Sequence, residues 1–594
     1  MPAQSFATAT PSAPAASEEP CCGKPLPVLG RDVAVPLVTG GEVTYAALDY
    51  AASAPALQRV WDDVAAYAPY YGSVHRGAGY LSQLSTDLFE NSRVTVAEFL
   101  DCRDDDQVVF TRSTTDSLNL LASALPADCQ VFVFETEHHA SLLPWQDARV
   151  TYLDAPRTPA QAVETLERAL ADRTPCDGRG PGSGNGKGPA LVCVTGASNV
   201  TGEIWPVREL AAVAHAHGAR IVLDAAQLAP HHPLSVRDLD VDWVAFSGHK
   251  LYAPFGSGVL AGRADWLRAA EPYLAGGGAS KKVARRADGG VDVEWHTTAA
   301  RHEAGSPNVI GVYAIASACR ALTEAGFDAL VEREQALVRR VREGLADVPA
   351  VKVLSLFGDE APRVGVLSFV VDGWNSSHFA AALSAEYGIG VRDGLFCAHP
   401  LVRTLLGSDP QEAGECGAPE AGPGERSLNA IRVSFGAGTP DEHVERFVRA
   451  VKELVANGAQ WNYRTEDGRC GPRESAVEAD RERGLQVVLR VGAERDVGVR
   501  RLDAGDLADR AGDDVRQVVV PSDAHHGDQV VGTGDGEDLA DAVQRGDRLG
   551  DLGDPVHAGL DEHDRGDHGW LSPSVAGGAA AALTLAVRRN RAHA

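Results

Sequence analysis

Lys250 stands in the run Ala245-Phe246-Ser247-Gly248-His249-Lys250-Leu251-Tyr252, directly after the apolar stretch Val241–Phe246. A lysine framed by small and hydroxylated residues at the end of a strand suits imine chemistry with a carbonyl compound. An ordinary lysine is protonated at neutral pH and cannot attack a carbonyl, so such a residue needs a partly buried site that lowers its pKa. The apolar stretch supplies the buried strand that would carry Lys250 into such a site. Taken alone, Lys250 reads more readily as a surface lysine after a strand.

A second segment decides between those readings. Ile221-Val222-Leu223-Asp224-Ala225-Ala226-Gln227 is a short apolar strand that ends in a carboxylate, with Gln227 on the following turn. In open α/β sheets, ligands bind at the C-terminal ends of the strands. An acid paired with a lysine in this way points to pyridoxal phosphate, because a carboxylate beside the pyridine nitrogen keeps the ring protonated and able to accept electrons. Asp224 alone could be a helix N-cap. Paired with Lys250 it reads as the ring partner, with Gln227 on the ring hydroxyl and Ser247 and His249 on the phosphate. Upstream, Phe110-Thr111-Arg112-Ser113-Thr114-Thr115-Asp116 puts hydroxyls and free backbone N–H groups at a helix start, which is an anion site. Thr114 and Thr115 are the expected phosphate ligands, a plain Ser/Thr cap being the alternative.

Together these segments resemble the class V branch of the fold-type I pyridoxal-phosphate enzymes, specifically the cysteine desulfurase and selenocysteine lyase group. The resemblance runs from about Val43 to about Asn457, and its motifs arrive in the family's order. Leu48-Asp49-Tyr50-Ala51-Ala52-Ser53-Ala54-Pro55 resembles the motif near the substrate, which places Ala51 there. Ser73–Gly77 and Glu90–Arg93 are similar to the next block. The resemblance implies that His138, in Glu137-His138-His139-Ala140-Ser141, stacks over the cofactor ring, where its flat ring and pKa near working pH suit proton transfer. It also implies that Asn199 sits beside substrate and cofactor. Arg301–Asn308 is close to a family signature near the dimer interface, whereas Gly276–Thr298 departs from the pattern. A metal reading of His138-His139, His231-His232 or His525-His526 lacks a companion set of Cys/His spacing, so no metal is expected.

In the C-terminal part, Ile389-Gly390-Val391-Arg392-Asp393-Gly394-Leu395-Phe396-Cys397-Ala398-His399-Pro400 resembles the loop that carries the sulfur-accepting cysteine. That thiolate must reach the substrate sulfur, and a nearby cation helps ionise it. Cys397 is the candidate, with a small buried apolar residue as the alternative. Arg392 is implied to contact substrate, and Arg432 to grip the α-carboxylate with two prongs. Close members often carry histidines before the cysteine, where this chain has Leu395-Phe396. The implied reaction is conversion of L-cysteine to L-alanine with persulfide formation on Cys397, then transfer to a sulfur acceptor. The alternatives are another class V reaction, such as selenocysteine lyase, aminotransferase, epimerase or carbon–sulfur lyase chemistry, or a non-enzymatic scaffold of the same fold.

The expected fold is α/β: a large domain, residues 31–320, with a mostly parallel, helix-covered sheet, and a smaller α+β domain, residues 321–460, to which an N-terminal segment contributes. Helices are expected around Leu210–His217, Asp328–Leu345 and Asp441–Val455, and a strand at Val364–Val371. Residues 1–30 read as a disordered leader rich in Ala, Ser and Pro. Gly178–Gly188 and Gly407–Arg426 read as low-complexity surface loops. Past Trp461 the chain holds no Lys, Ile, Phe or Met, and Trp570 is the sole aromatic residue beyond Tyr463. Residues 461–594 therefore read as a low-order acidic tail, either a translated frameshift or a genuine disordered extension. The apolar run Ala576–Val587 is too short to span a bilayer.

A formal net charge of −27 over 594 residues, with no basic stripe, argues against nucleic-acid binding. Ten scattered cysteines without framework spacing favour a reducing cytoplasm. The partners expected are a small amino-acid substrate, a sulfur-acceptor protein and a second copy in a homodimer with shared active sites, with no membrane contact.

Overall fold

Short runs of Val, Leu, Ile and Phe, apolar on both sides, make strands that must be covered on both faces. Six such runs and one largely exposed edge strand, β3, form the central sheet: β1 Asp106–Thr111, β2 Gln130–Phe134, β3 Arg149–Leu153, β4 Ala190–Thr195, β5 Arg220–Asp224, β6 Trp243–Ser247 and β7 Gly258–Arg263. Their spatial order is β1-β7-β6-β5-β4-β2-β3. Pairing is parallel from β3 through β6, and β7 runs antiparallel to both β6 and β1. The sheet is the mostly parallel one expected. The computed structural model describes residues 23–75, 77–146, 148–173, 188–408, 429–466 and 469–472. The Cys21-Cys22 pair, nearly all of both low-complexity insertions and the tail from 473 onward lie outside the described residues.

The period-2 alternation of the strands sorts their side chains into two cores. Val192, Val194, Ile221 and Leu223 face a cluster shared with the helices Tyr80–Phe99, Pro159–Ala171, Val207–Ala216 and Val309–Ala325. Leu191, Cys193 and Val222 point the other way, toward Leu118 and Leu121 of the helix Thr114–Ser123. The expected helix Leu210–His217 is found at Val207–Ala216. The buried strand before Lys250 begins at Trp243 and ends at Ser247.

The smaller unit is a four-stranded antiparallel sheet of β8 Val351–Val353, β9 Val366–Val371, β10 Arg392–Gly394 and β11 Ala430–Ser434, in the order β8-β9-β11-β10. Helices Phe327–Leu345, Ser376–Tyr387 and Asp441–Asn457 pack on it around Phe369, Phe379 and Phe447. The N-terminal segment joins this unit, because Ala46–Ala47 pairs in parallel with Ile389–Gly390 and Leu48 is buried in the same cluster.

Three boundaries differ from the sequence expectation. Ordered structure starts before residue 31: Val28 is buried and Leu26 N–H donates to the Ala437 carbonyl. The passage from the large unit to the small one lies beyond 320, between Leu330, still packed on the large core, and Leu337, which belongs to the small one. Folded structure also continues past Trp461. Tyr463–Glu466 and Arg469–Pro472 form a hairpin, fixed by the buried Glu386, which accepts bonds from Gln460 N, Trp461 N and Tyr463 Oη. One buried carboxylate with three donors explains why a polar sequence stays attached there. Among the described residues no helix is long and apolar enough to cross a membrane.

Candidate active site

The chemistry-bearing side chains gather at the carboxyl ends of the parallel strands, where the backbone leaves the sheet and its polar groups are free to meet a ligand. The segment after β1 delivers Thr114 and Thr115, β2 leads to His138, β4 to Asn199, β5 ends in Asp224 with Gln227 beyond it, and β6 ends at Ser247 before His249 and Lys250. From the smaller unit come Arg392, Cys397 and Arg432, and from the N-terminal segment Ala51. All of these line one cavity of about 220 Å³. The sequence-derived set is thus brought together in one place.

The floor of the cavity is hydrogen-bonded throughout. Asp224 Oδ2 accepts from Ser141 Oγ at 2.6 Å and Oδ1 from Ala226 N at 2.9 Å. Gln227 Nε2 donates to the Ala51 carbonyl at 2.8 Å, leaving its Oε1 toward other partners. Ser113 caps the helix Thr114–Ser123 by accepting from Asp116 N. Ser247 Oγ lies 2.7 Å from both Thr114 N and Thr114 Oγ1, so two expected phosphate ligands already hold each other in place. Gly258 is required beside this turn, since a Cβ there would meet the Ser113 Cα at 2.6 Å.

Lys250 is part-buried in the cavity, and burial lowers its pKa from 10.5 to about 8, with Asp224 opposing and Arg432 assisting. His138 is pushed down to about 3, by burial first and then by the Lys250 charge. It is therefore a neutral imidazole at working pH. Its Nδ1 accepts from Ala140 N at 3.0 Å, which leaves Nε2 as the site of its proton.

Arg432 is buried with Nη2 on Asp49 Oδ1 and Nη1 on the Asn199 carbonyl, both at 3.0 Å. Burial lowers its pKa, against the Asp49 charge. Asn199 Nδ2 in turn holds the Phe396 carbonyl at 2.8 Å, and His139 N holds the Cys397 carbonyl at 2.8 Å. Cys397 is exposed, so the reading of it as a small buried apolar residue is corrected. Phe396 and Cys397 both adopt positive φ, 52° and 53°, a conformation that L residues seldom occupy twice running. The turn packs through Leu395 and Phe396 onto Leu401 and Val402.

Sequence reasoning assigned no role to Asp49, Ser141, Glu137 or Phe396. Ser141 carried a usable signal, three residues after His138 on a short helix. Asp49 acquires its role through Arg432, 383 positions away, and Phe396 through Asn199, 197 positions away, and through Arg432 on another strand. Glu137 is fully buried, accepts from Thr195 N, and has its pKa raised by that burial, with the Asp224 charge adding to it. Among the described residues no cluster of His, Cys, Asp and Glu could hold a metal ion.

A sheet with a lysine, an acid and an anion-binding helix start at its carboxyl edge, completed by a second unit carrying arginines, is the layout of a cofactor-dependent α/β enzyme. The chain belongs to the aminotransferase class-V family, whose model matches residues 46–447. It is 35% identical over 391 residues to a cysteine desulfurase of Enterobacter sp. (strain 638), covering 63% of this chain and 88% of that one. Among solved structures it is similar to the apo cysteine desulfurase of Thermococcus onnurineus NA1, with TM-score 0.58, 30% identity and coverage of 69% and 95% of the two chains. It is also similar to the cysteine desulfurase CsdA of Escherichia coli, with TM-score 0.57, 29% identity and coverage of 69% and 95%.

Proposed function

We propose that this protein is a pyridoxal-phosphate-dependent cysteine desulfurase that converts L-cysteine to L-alanine and leaves the sulfur as a persulfide on Cys397. The observation that carries the reading is the single cavity shared by a desolvated Lys250, a doubly hydrogen-bonded Asp224, a buried Arg432 and an exposed Cys397. The residues fit the cofactor. Asp224 would hold the pyridine nitrogen, Gln227 the ring hydroxyl, His138 the ring face, and Thr114, Thr115, Ser247 and His249 the phosphate. Bound there, pyridoxal phosphate supplies a protonated ring that stabilises negative charge on the substrate carbon.

The chain's own residues do the rest. Arg432 grips the substrate carboxylate with N–H groups not used by Asp49 and Asn199, and Arg392 and Ala51 border the substrate. Lys250, neutral in a substantial fraction of molecules near pH 8, takes the proton from the substrate carbon. Cys397 attacks the substrate sulfur as a thiolate: the S–S bond forms, the carbon–sulfur bond breaks, and a proton returned to the carbon completes alanine. L-Cysteine and the Cys397 thiol thus become L-alanine and the Cys397 persulfide, which an acceptor thiol discharges. Exposure of Cys397 supports transfer to an acceptor protein.

A homodimer is part of the proposal, supported by Val283, Val291 and Val293, exposed on the hairpin of Ser280–Arg285 and Val291–Trp295. So is a reducing compartment such as the cytoplasm, consistent with the free cysteines Cys102, Cys129, Cys193, Cys319, Cys397 and Cys470. Leu395-Phe396, in place of a polar pair, favours as second reading another class V reaction, such as selenocysteine lyase, in which Cys397 matters less. The mass of the Cys397 peptide after one equivalent of L-cysteine tests the choice. A peptide heavier by one sulfur atom supports desulfuration, and an unmodified peptide with alanine formed favours the second reading.

A further inference from the structure

We infer that Phe396 is a specificity-determining residue, which caps Arg432 and makes the site select amino acids that carry a free α-carboxylate. The inference deepens the proposed function and rests on its assignment of Arg432 to the carboxylate. Phe396 lines the cavity and is 8% exposed, and its ring lies over the Arg432 guanidinium at 4.9 Å from Cζ to centroid. The guanidinium plane is already fixed by the Asp49 carboxylate and the Asn199 carbonyl, while Nε is buried with no partner. An arginine has five N–H donors in a rigid fork. Two are engaged here, and the orphan Nε–H is among the donors left for a ligand.

A ring over one face of the fork excludes water from it and adds an attraction that grows when the cation is desolvated. An anion then meets the guanidinium at its free N–H groups and not across the covered face. The backbone is built to keep the ring there. Left-handed φ at Phe396 turns its side chain inward while the next residue, Cys397, is exposed, and the Asn199 amide ties the Phe396 carbonyl to the residue whose own carbonyl holds Arg432. One asparagine thus couples the cap, the arginine and the cysteine turn. The pattern Leu395-Phe396 therefore has a role of its own: Leu395 anchors the turn in the cluster with Leu401 and Val402, and Phe396 sets an apolar wall on the carboxylate subsite.

The test compares binding of L-alanine with binding of ethylamine, which lacks the carboxylate, to the holoenzyme, by titrating the cofactor absorption band. Phe396→Ala is expected to reduce the preference for L-alanine about tenfold with ethylamine affinity unchanged. Phe396→Leu, which keeps the packing against Leu401 and Val402 but not the aromatic face, is expected to reduce it at least about threefold. For L-cysteine turnover, KM should rise, the mark of lost ground-state binding. Wild-type preference in either folded variant overturns the inference while leaving the proposed function standing. A wild-type band that responds to neither ligand overturns both.

Discussion

Lys250 gives the sharpest quantitative handle on the site, because its amine is the group that burial changes most usefully. Lowering its pKa from 10.5 to about 8 raises the neutral fraction at about pH 7.5 from about one in a thousand to about one in four, roughly a 200-fold gain in reactive amine. The sign follows from the cause: desolvation penalises the ammonium, so the proton leaves at lower pH than from an exposed lysine. Competitive acetylation of the apoprotein across about pH 6 to 11, read by mass spectrometry, measures this residue by residue. Lys281 is the internal standard, exposed and with its pKa raised by hydrogen bonding to Glu294 and by that residue's charge. Lys250 labelling should reach its plateau soon after about pH 8, while Lys281 continues to gain reactivity beyond about pH 10. Parallel curves for the two lysines would refute the desolvation argument, and with it the reason for choosing Lys250 as the imine-forming residue.

Ser141→Ala removes the 2.6 Å bond to Asp224, a buried hydrogen bond to a charged group worth about 1.5–3 kcal/mol. Cofactor affinity, measured by fluorescence titration, should fall about ten- to hundred-fold, and an unchanged affinity would remove Ser141 from the site. Arg363→Met leaves Glu203 buried and without its cation, since both side chains are at most 1% exposed and 3.3 Å apart. Thermal unfolding should show a loss of about 3–5 kcal/mol, whereas a stable variant would mean that the Ser355, Leu356 and Phe357 donors suffice. A chain ending at Pro472 should keep the melting temperature and cofactor binding of the full chain. One ending at Gly458 should unfold earlier, because Glu386 loses the donors of Gln460, Trp461 and Tyr463. Equal stability of the two truncations would show the hairpin to be dispensable.

What the sequence disclosed follows from how local each signal is. The strand-then-acid and strand-then-lysine patterns around Asp224 and Lys250 are complete within a few residues, because a buried parallel strand must be apolar throughout and its carboxyl end must carry the polar groups. Ser141 and Asp49 were not assigned roles, since Ser141 acts through a residue 83 positions away and Asp49 through one 383 away. The Phe396 turn shows the same limit: the pair Leu395-Phe396 is visible as a departure, but its meaning depends on a guanidinium on another strand. In the sequence the hairpin past Trp461 reads as part of a tail because its composition is polar. One buried glutamate on a distant helix reverses that.

Under the proposed function, one cavity couples amine chemistry at Lys250 to sulfur capture at Cys397. Alanine formed from L-cysteine in a single turnover, with pyridoxal phosphate bound and a reducing thiol present, measures it directly for wild type, Lys250→Ala and Cys397→Ala. This coupling predicts alanine from wild type, none from Lys250→Ala, and loss of alanine from L-cysteine in Cys397→Ala with the cofactor band retained. Wild-type levels of alanine from Cys397→Ala, or from Lys250→Ala, would contradict it.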